Sequence, residues 1–399
     1  MDLSLDSESR QRLALLRGLG KERLRPLGLE ADRKGEPIPP EHPFFQQLVD
    51  MGVVSALGIE PEKRAGERPA ERRASRTAVL FGEEASYWDR GVAVSFPGPG
   101  LGGPPLFKMG TPEQKKRFLA VFSDGKPHWG AFAMTEPGAG SDVARIATSA
   151  RKDGDGWILN GQKAFISNAK RAEWLVVFAT VDQAAGRAGH RAFVVERGTP
   201  GFEVTRVEKK MGLKAYESCS LVLEQCRVPA DNLLGGEDYY RSLEGFKGAM
   251  SAFNSSRALI AAMAIGVGRA AWDEARRFVR DNYDMGRPIP RYRRINERLA
   301  DVKRKLDAGR LLCWRGAWLL DLGQPNALEA SMAKAYCPPI ALEACSTAVE
   351  ILADAGVRND HLVEKLYRDV KAMDIVEGTQ QIQRTVIARQ LLGLPREST

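Results

Sequence analysis

Trp157-Ile-Leu-Asn-Gly161, Trp174-Leu-Val-Val-Phe-Ala179, His190-Arg-Ala-Phe-Val-Val-Glu196, Phe202-Glu-Val-Thr-Arg-Val207 and Ser220-Leu-Val-Leu-Glu224 are short runs rich in β-branched and aromatic side chains. Turn-forming residues separate them: Asp153-Gly-Asp-Gly156, Asn160-Gly161, the stretch 182–189 and Gly198-Thr-Pro-Gly201. Runs of this kind, bounded by Gly, Pro, Asn and Asp, read as strands. No helical stretch lies between them, so they must pair with one another. That predicts an antiparallel barrel or sandwich across residues 127–237.

On both sides the pattern turns helical. Residues 1–126 are expected to form an N-terminal helical domain, with amphipathic stretches at 76–88 and 111–122. Thr111-Pro-Glu-Gln114 carries a Thr cap, a Pro at the first helical position and a Gln placed to complete a capping box. Segments 36–43 and 61–75 are Pro-rich or charged and read as loop. Across residues 238–399, Leu259 to Arg280 is Ala-rich and almost apolar in its first half, which places it inside a bundle. Further helices are expected at 292–322, 326–353 and 361–393, with breaks at Gly323-Gln-Pro-Asn326 and Ala355-Gly-Val-Arg-Asn359. The fold class is therefore α+β: helical domain, central β domain, C-terminal four-helix bundle.

The 399 residues are 43% hydrophobic and 28% charged, a globular balance that excludes disordered, collagen-like and disulfide-scaffold classes. The start resembles no signal peptide. The longest apolar stretch, Leu259 to Gly268, falls far short of the roughly 20 residues a bilayer requires. A cytoplasmic chain with no membrane span is expected. Five cysteines form no Cys-x-x-Cys pair and read as reduced, buried thiols; four scattered histidines offer no metal-ligand spacing. The net charge of +8 suits nucleic acid, a membrane surface or a polyanionic small molecule. Its densest basic stretch, 287–310, is interleaved with Glu297, Asp301 and Asp307 and holds Tyr292 as its lone aromatic. That pattern is a solvated helix face, so no nucleic acid is expected.

Two glycine-rich segments compete for a ligand. Gly98-Pro-Gly-Leu-Gly-Gly103 matches G-x-G-x-x-G and follows the strand-like Val92-Ala-Val-Ser-Phe96. However, Pro97, Pro99, Pro104 and Pro105 surround it and no helix is expected at its third glycine, so it reads as an irregular loop. Met134-Thr-Glu-Pro-Gly-Ala-Gly-Ser-Asp142 combines hydroxyls, a rigid turn and glycines that let backbone N–H groups approach a ligand. The same residues also suit a tight turn leading into the β domain.

Residues 131–142 and 159–168, Lys210-Met-Gly-Leu-Lys214, Cys226-Arg-Val-Pro-Ala-Asp-Asn-Leu-Leu-Gly235 and Asp374-Ile-Val-Glu-Gly-Thr-Gln-Gln-Ile-Gln-Arg384 follow one another in an order that resembles the acyl-CoA dehydrogenase family over roughly residues 40–393. The resemblance implies FAD held without a Rossmann fold. Met134 and Thr135 would line the pyrimidine side of the flavin, with Phe132 nearby. Gly140 and Ser141 would approach the pyrophosphate, Ser141 also touching substrate. Phe165 would lie against the flavin and Ser167 near its N5, with Thr379 and Gln381 completing the cofactor set.

Glu377 would be the base that removes the α-proton of an acyl thioester while the β-hydrogen leaves as hydride to N5. Asn254, Arg257, Gly378 and Arg389 match substrate-side positions, and Val376 and the loop 96–106 would shape the acyl cavity. Some members carry the base on the long helix immediately before an Arg. The matching pair is Ser256-Arg257, and serine cannot act as the base. Implied partners are acyl-CoA or an acyl carrier protein, an electron-transfer flavoprotein, and further copies in a dimer or tetramer. Asn282, Glu350 and Ala353-Asp354 depart from family positions that reach FAD across a dimer interface. These departures imply weakened FAD contacts or a heteromer with a related subunit. A flavin monooxygenase or nitroalkane-type oxidase on the same fold would have lost the base or changed it to Asp, and Glu377 argues against that reading.

Overall fold

In the computed structural model, which describes residues 5–53, 73–241, 244–283 and 290–394 (side chains of 244–255 and 290–291 excepted), the central segment forms one seven-stranded sheet. Its strands are β1 (Trp129–Ala133), β2 (Ser149–Asp153), β3 (Gly156–Ser167), β4 (Ala172–Thr180), β5 (His190–Glu196), β6 (Phe202–Val207) and β7 (Ser218–Pro229). The order is β1-β4-β2-β3-β7-β6, with β5 also paired to β4. Alternation along β4 shows why its run is apolar throughout. Leu175, Val177 and Ala179 join Trp157, Phe193 and Leu221 in one core layer. Trp174, Val176 and Phe178 turn to a second layer with Leu106, Met109 and Phe118 from the helices before the sheet.

The expected antiparallel arrangement needs correction. β1 and β2 run parallel to β4, and the remaining pairings are antiparallel, so the sheet is mixed. The sequence reading also missed both of these strands. Trp129-Gly-Ala-Phe-Ala133 is dominated by small residues, and Ser149-Ala-Arg-Lys-Asp153 buries only Ala150. Neighbouring strands, rather than local propensity, hold both in the sheet.

The preceding helices are α1 (Ser7–Leu19), α2 (Arg25–Lys34), α3 (Pro43–Asp50), α4 (Ala74–Val94), α5 (Gly103–Met109) and α6 (Pro112–Leu119). The capping box at Thr111 is formed in full, with Thr111 Oγ1 accepting from the Gln114 N–H and Gln114 Oε1 accepting from the Thr111 N–H. Val92 and Val94 belong to α4 rather than to a strand, and a short helix does begin at Gly103, contrary to expectation. The loop before it still offers no phosphate cradle, because the Gly98 N–H is spent on the His128 carbonyl at 2.7 Å. Segment 36–43 is loop up to Pro43; most of 61–75 lies outside the described residues.

After the sheet come α7 (Gly236–Arg241), α8 (Glu244–Asn282), α9 (Pro290–Asp321), α10 (Ala327–Leu352), α11 (Leu362–Ile375) and α12 (Gln380–Leu391). Ala261, Ala264 and Ile265 of α8 sit in one core with Leu306, Cys337, Ala341 and Leu366 of α9, α10 and α11, which is the expected bundle. Val79 and Leu80 of α4 join that core. Gly266 permits the close crossing, since a Cβ there would lie 2.0 Å from the Glu83 carbonyl oxygen. On α9, Ile295, Leu299, Val302 and Leu306 are buried while Arg293–Glu297 and Lys303–Asp307 pair outside, so the basic stretch is a solvated face; Arg287 and Arg291 lie outside the described side chains. All five cysteines are free and buried. No helix of the described residues is long and apolar enough to cross a membrane.

The single helix expected over 361–393 is two. α11 stops at Ile375 and α12 starts at Gln380, because Glu377 and Gly378 both adopt positive φ, 55° and 92°. Gly378-Thr379 is a stop signal followed by an N-cap, and the Thr379 hydroxyl accepts from the Ile382 N–H at 3.5 Å.

Candidate active site

The break between α11 and α12 places Glu377 where regular helix would not. Left-handed geometry is costly for a side chain with a Cβ and collects at functional positions. Only glycine fits at 378, since a Cβ there would lie 2.5 Å from Gln383 Nε2. That amide donates to the Glu377 and Gly378 carbonyls at 3.3 and 3.2 Å. From α10, the fully buried Lys334 donates to the Asp374 and Gly378 carbonyls at 3.4 and 3.3 Å.

The Glu377 carboxylate accepts a hydrogen bond from the Ser256 hydroxyl of α8. Burial pushes its pKa above the ordinary glutamate value; the Ser256 hydrogen bond and the charges of Lys334, Arg257 and Arg90 pull against it. Arg90 is 7% exposed and enters from α4, which is kinked at Asp89 (φ −162°). Lys365 donates to Asp89 at 2.6 Å and so fixes the kink. The Nε of Arg90 has no hydrogen-bond partner among the described residues. Burial lowers the pKa of Lys334 to about 8 and brings that of Arg257 down as well.

A second set converges from the sheet. The Ala164 N–H donates to the Thr135 carbonyl at 2.9 Å, which lays the 134–141 segment beside the end of β3. Lys163, fully buried, donates to the Met134 carbonyl at 3.1 Å and to Glu136 Oε1 at 2.7 Å. Glu136 in turn accepts from the Ala147 and Thr148 N–H groups, so the segment is tied at both ends. A register shift between Lys163 and Ile166 pushes Phe165 outward, at φ 59° and 67% exposed. Ser167 hydrogen-bonds the buried Tyr216, and the Arg90 charge acts on both Tyr216 and Glu377.

These features test the fit to a flavin. An exposed aromatic in a strained conformation needs a partner to stack on. Gly138 and Gly140 have no atom within 4 Å of an added Cβ, so nothing in the protein itself demands glycine there. Exposed Ser141 completes an open cradle of the kind phosphate oxygens occupy. Thr135, Gly140, Ser141, Phe165 and Ser167 therefore suit a flavin, whereas the Met134 side chain is buried in the second core layer.

Other expected residues stand apart. Phe132 faces the second core layer, with its ring 5.5 Å from Phe178. Thr379 is engaged as a helix cap, while Gln381 is exposed and Arg389 part-buried on α12. The side chain of Asn254 lies outside the described residues. Sequence reasoning missed Arg90, Glu136, Lys163, Tyr216, Lys334 and Gln383. The signal for Lys163 and Lys334 was a lone cation in an apolar run, which a buried strand or helix tolerates only when the charge has a use.

Three models of the same family match the chain in succession: acyl-CoA dehydrogenase N-terminal domain over residues 6–126, middle domain over 131–226 and C-terminal domain over 244–392. The chain belongs to the acyl-CoA dehydrogenase family. It is thereby an FAD-dependent oxidoreductase. It is 35% identical over 394 residues to acryloyl-CoA reductase (NADH) of Anaerotignum propionicum, covering 98% of this chain and 96% of that protein. It is 33% identical to the short-chain specific acyl-CoA dehydrogenase of Megasphaera elsdenii, covering 98% and 100%. The solved butyryl-CoA dehydrogenase from Megasphaera elsdenii superposes with a TM-score of 0.85 at 32% identity over 98% of this chain and 100% of that one.

Of the positions that depart from the family pattern, Asn282 and Glu350 are engaged within the chain, while Ala353 adopts a left-handed φ of 52°. Asn282 donates to the Phe278 carbonyl at 2.9 Å, and Glu350 pairs with Arg298 at 2.7 Å. Arg280, close to Asn282 in sequence, is engaged by Asp281.

Proposed function

We propose that this acyl-CoA dehydrogenase desaturates a short acyl-CoA between its α and β carbons, with Glu377 as the base. The observation that carries the reading is a buried carboxylate set by a left-handed break, held by Ser256 and with its pKa raised by burial. Raising the pKa from the ordinary glutamate range strengthens the base toward the neutral pH at which it works. Ser256 holds Oε2, which leaves Oε1 to take the α-proton. The bare Gly378 lets the thioester come close, and the Glu377 N–H polarises its carbonyl as the α-carbon gains charge. Arg257 binds the substrate side, with Ser141. FAD, when bound, supplies the acceptor for the β-hydrogen and its electron pair.

A second direction is favoured by the relative named acryloyl-CoA reductase. Run backwards, a protonated Glu377 returns its proton to the α-carbon of an enoyl-CoA, while the β-carbon takes its hydride from reduced FAD when bound. An electron-transfer flavoprotein is the acceptor or donor that sets the direction, and the chain acts as a homodimer or homotetramer. Purification with FAD bound supports that reading, whereas a colourless lone chain points to a heteromer. Anaerobic titration of the purified holoprotein tests the activity: butyryl-CoA should bleach the flavin, and crotonyl-CoA should restore colour to the reduced protein. Failure of every acyl-CoA in a panel of short and long chains to bleach it overturns the reading.

A further inference from the structure

Among the described residues, Lys334 is a buried cation whose hydrogen bonds go to no carboxylate. It sits on α10 among Ala330, Ala333 and Cys337, and its direct partners are two backbone carbonyls, Asp374 at 3.4 Å and Gly378 at 3.3 Å. Burying a charge with no directly bonded counter-ion is expensive, and the carboxylates that act on Lys334 are those of Asp374 and Glu377. The two carbonyls flank Glu377: one belongs to the last turn of α11, where carbonyls lack intrahelical partners, and the other follows the base directly. Gln383, also fully buried, takes the same stretch from the opposite side through the Glu377 and Gly378 carbonyls.

We propose that Lys334 is a positioning residue which, together with Gln383, clamps the left-handed turn at Glu377–Gly378 and so aims the Glu377 carboxylate at the α-carbon of the substrate. The inference rests on the reading of Glu377 as base. It divides labour between the two clamps. Gln383 supplies geometry alone. Lys334 supplies geometry and a positive charge, shared with Arg257 of α8 and Arg90 of α4, that favours the ionised carboxylate. The other charged groups facing Lys334 are Asp374 of α11 and Cys337 of its own helix, a thiol.

The test compares holoenzyme variants by the rate of flavin bleaching with butyryl-CoA across a pH series. Gln383→Leu should lower the rate at every pH by about tenfold, since small misplacements of a reacting group are costly, and leave the shape of the pH profile unchanged. Lys334→Met should lower the rate similarly and also move the acid limb to higher pH, because the carboxylate loses a neighbouring cation. FAD content should match the parent in both. Full rates with parental pH profiles in both variants overturn the proposal. Should Lys334→Met not fold, Gln383→Leu decides for the clamp: a loss of rate with FAD retained supports it, and a full rate overturns it. Glu377→Gln run alongside separates the two claims, because activity retained there removes the base itself, whatever the clamp variants do.

Discussion

The Ser256 hydroxyl of α8 donates to Oε2 of Glu377 across the gap between α8 and the α11–α12 break. The residue that cannot be the base thus serves the residue that can. Its hydrogen bond favours the charged form and lowers the Glu377 pKa against the effect of burial. Ser256→Ala should therefore raise that pKa. Bleaching by butyryl-CoA at mildly acidic pH should fall by roughly five- to tenfold while the alkaline rate stays within about twofold, the signature of a base titrating later. A uniform loss across pH would assign Ser256 to substrate binding instead.

Phe165 combines 67% exposure with φ 59°, a conformation that glycine adopts freely. Phe165→Gly should leave the thermal midpoint of the flavin-free protein unchanged or higher. Loss of stacking area should weaken FAD about tenfold, in line with the roughly 0.5–1.5 kcal/mol such ring contacts add beyond their buried area. Fluorescence titration of the flavin-free chain measures it.

Lys163 and Glu136 form a buried pair that ties the 134–148 segment to β3. Removing one partner of such a pair costs about 3–5 kcal/mol. Lys163→Met should lower unfolding free energy by that order in urea denaturation and release FAD readily, and adding Glu136→Gln should recover part of the stability.

Burial lowers the pKa of His190, 4% exposed, from 6.5 to about 4. Between these values the unfolded chain binds a proton that the folded chain does not, so stability falls as pH drops from 6.5 towards 4. The full contribution is about 3 kcal/mol at about 1.4 kcal/mol per unit. His190→Asn should flatten the stability curve over that window, read from denaturation midpoints at a series of pH values.

Much of this architecture was legible. The runs at Trp157, Trp174, His190, Phe202 and Ser220 all became strands, since β-branched alternation and flanking turns are local signals. The strands β1 and β2 were not legible, because Gly130, Ala131 and Ala133 in one and the polar side chains of the other are held only by neighbours distant in sequence. The break after Ile375 was written in Gly378-Thr379 but masked by the apolar periodicity on both sides. Motifs singled out Glu377, Phe165, Ser167 and the 134–141 segment as candidates. Arg257 was read as a substrate-side residue, but Arg90 could not be placed near Glu377, because it enters through a kink at Asp89 held by Lys365, 276 positions along the chain. Long-range ion pairs of that kind leave no pattern in a single sequence.

The central claim, that Glu377 abstracts the α-proton, meets its most direct test in the reductive half-reaction of Glu377→Gln, followed by flavin absorbance after rapid mixing with butyryl-CoA. The amide keeps the size of the side chain and loses its basicity. The account predicts a protein that purifies with FAD, binds acyl-CoA and bleaches at least about 10³-fold more slowly than the parent. Bleaching within tenfold of the parent rate, with FAD fully retained, would contradict it.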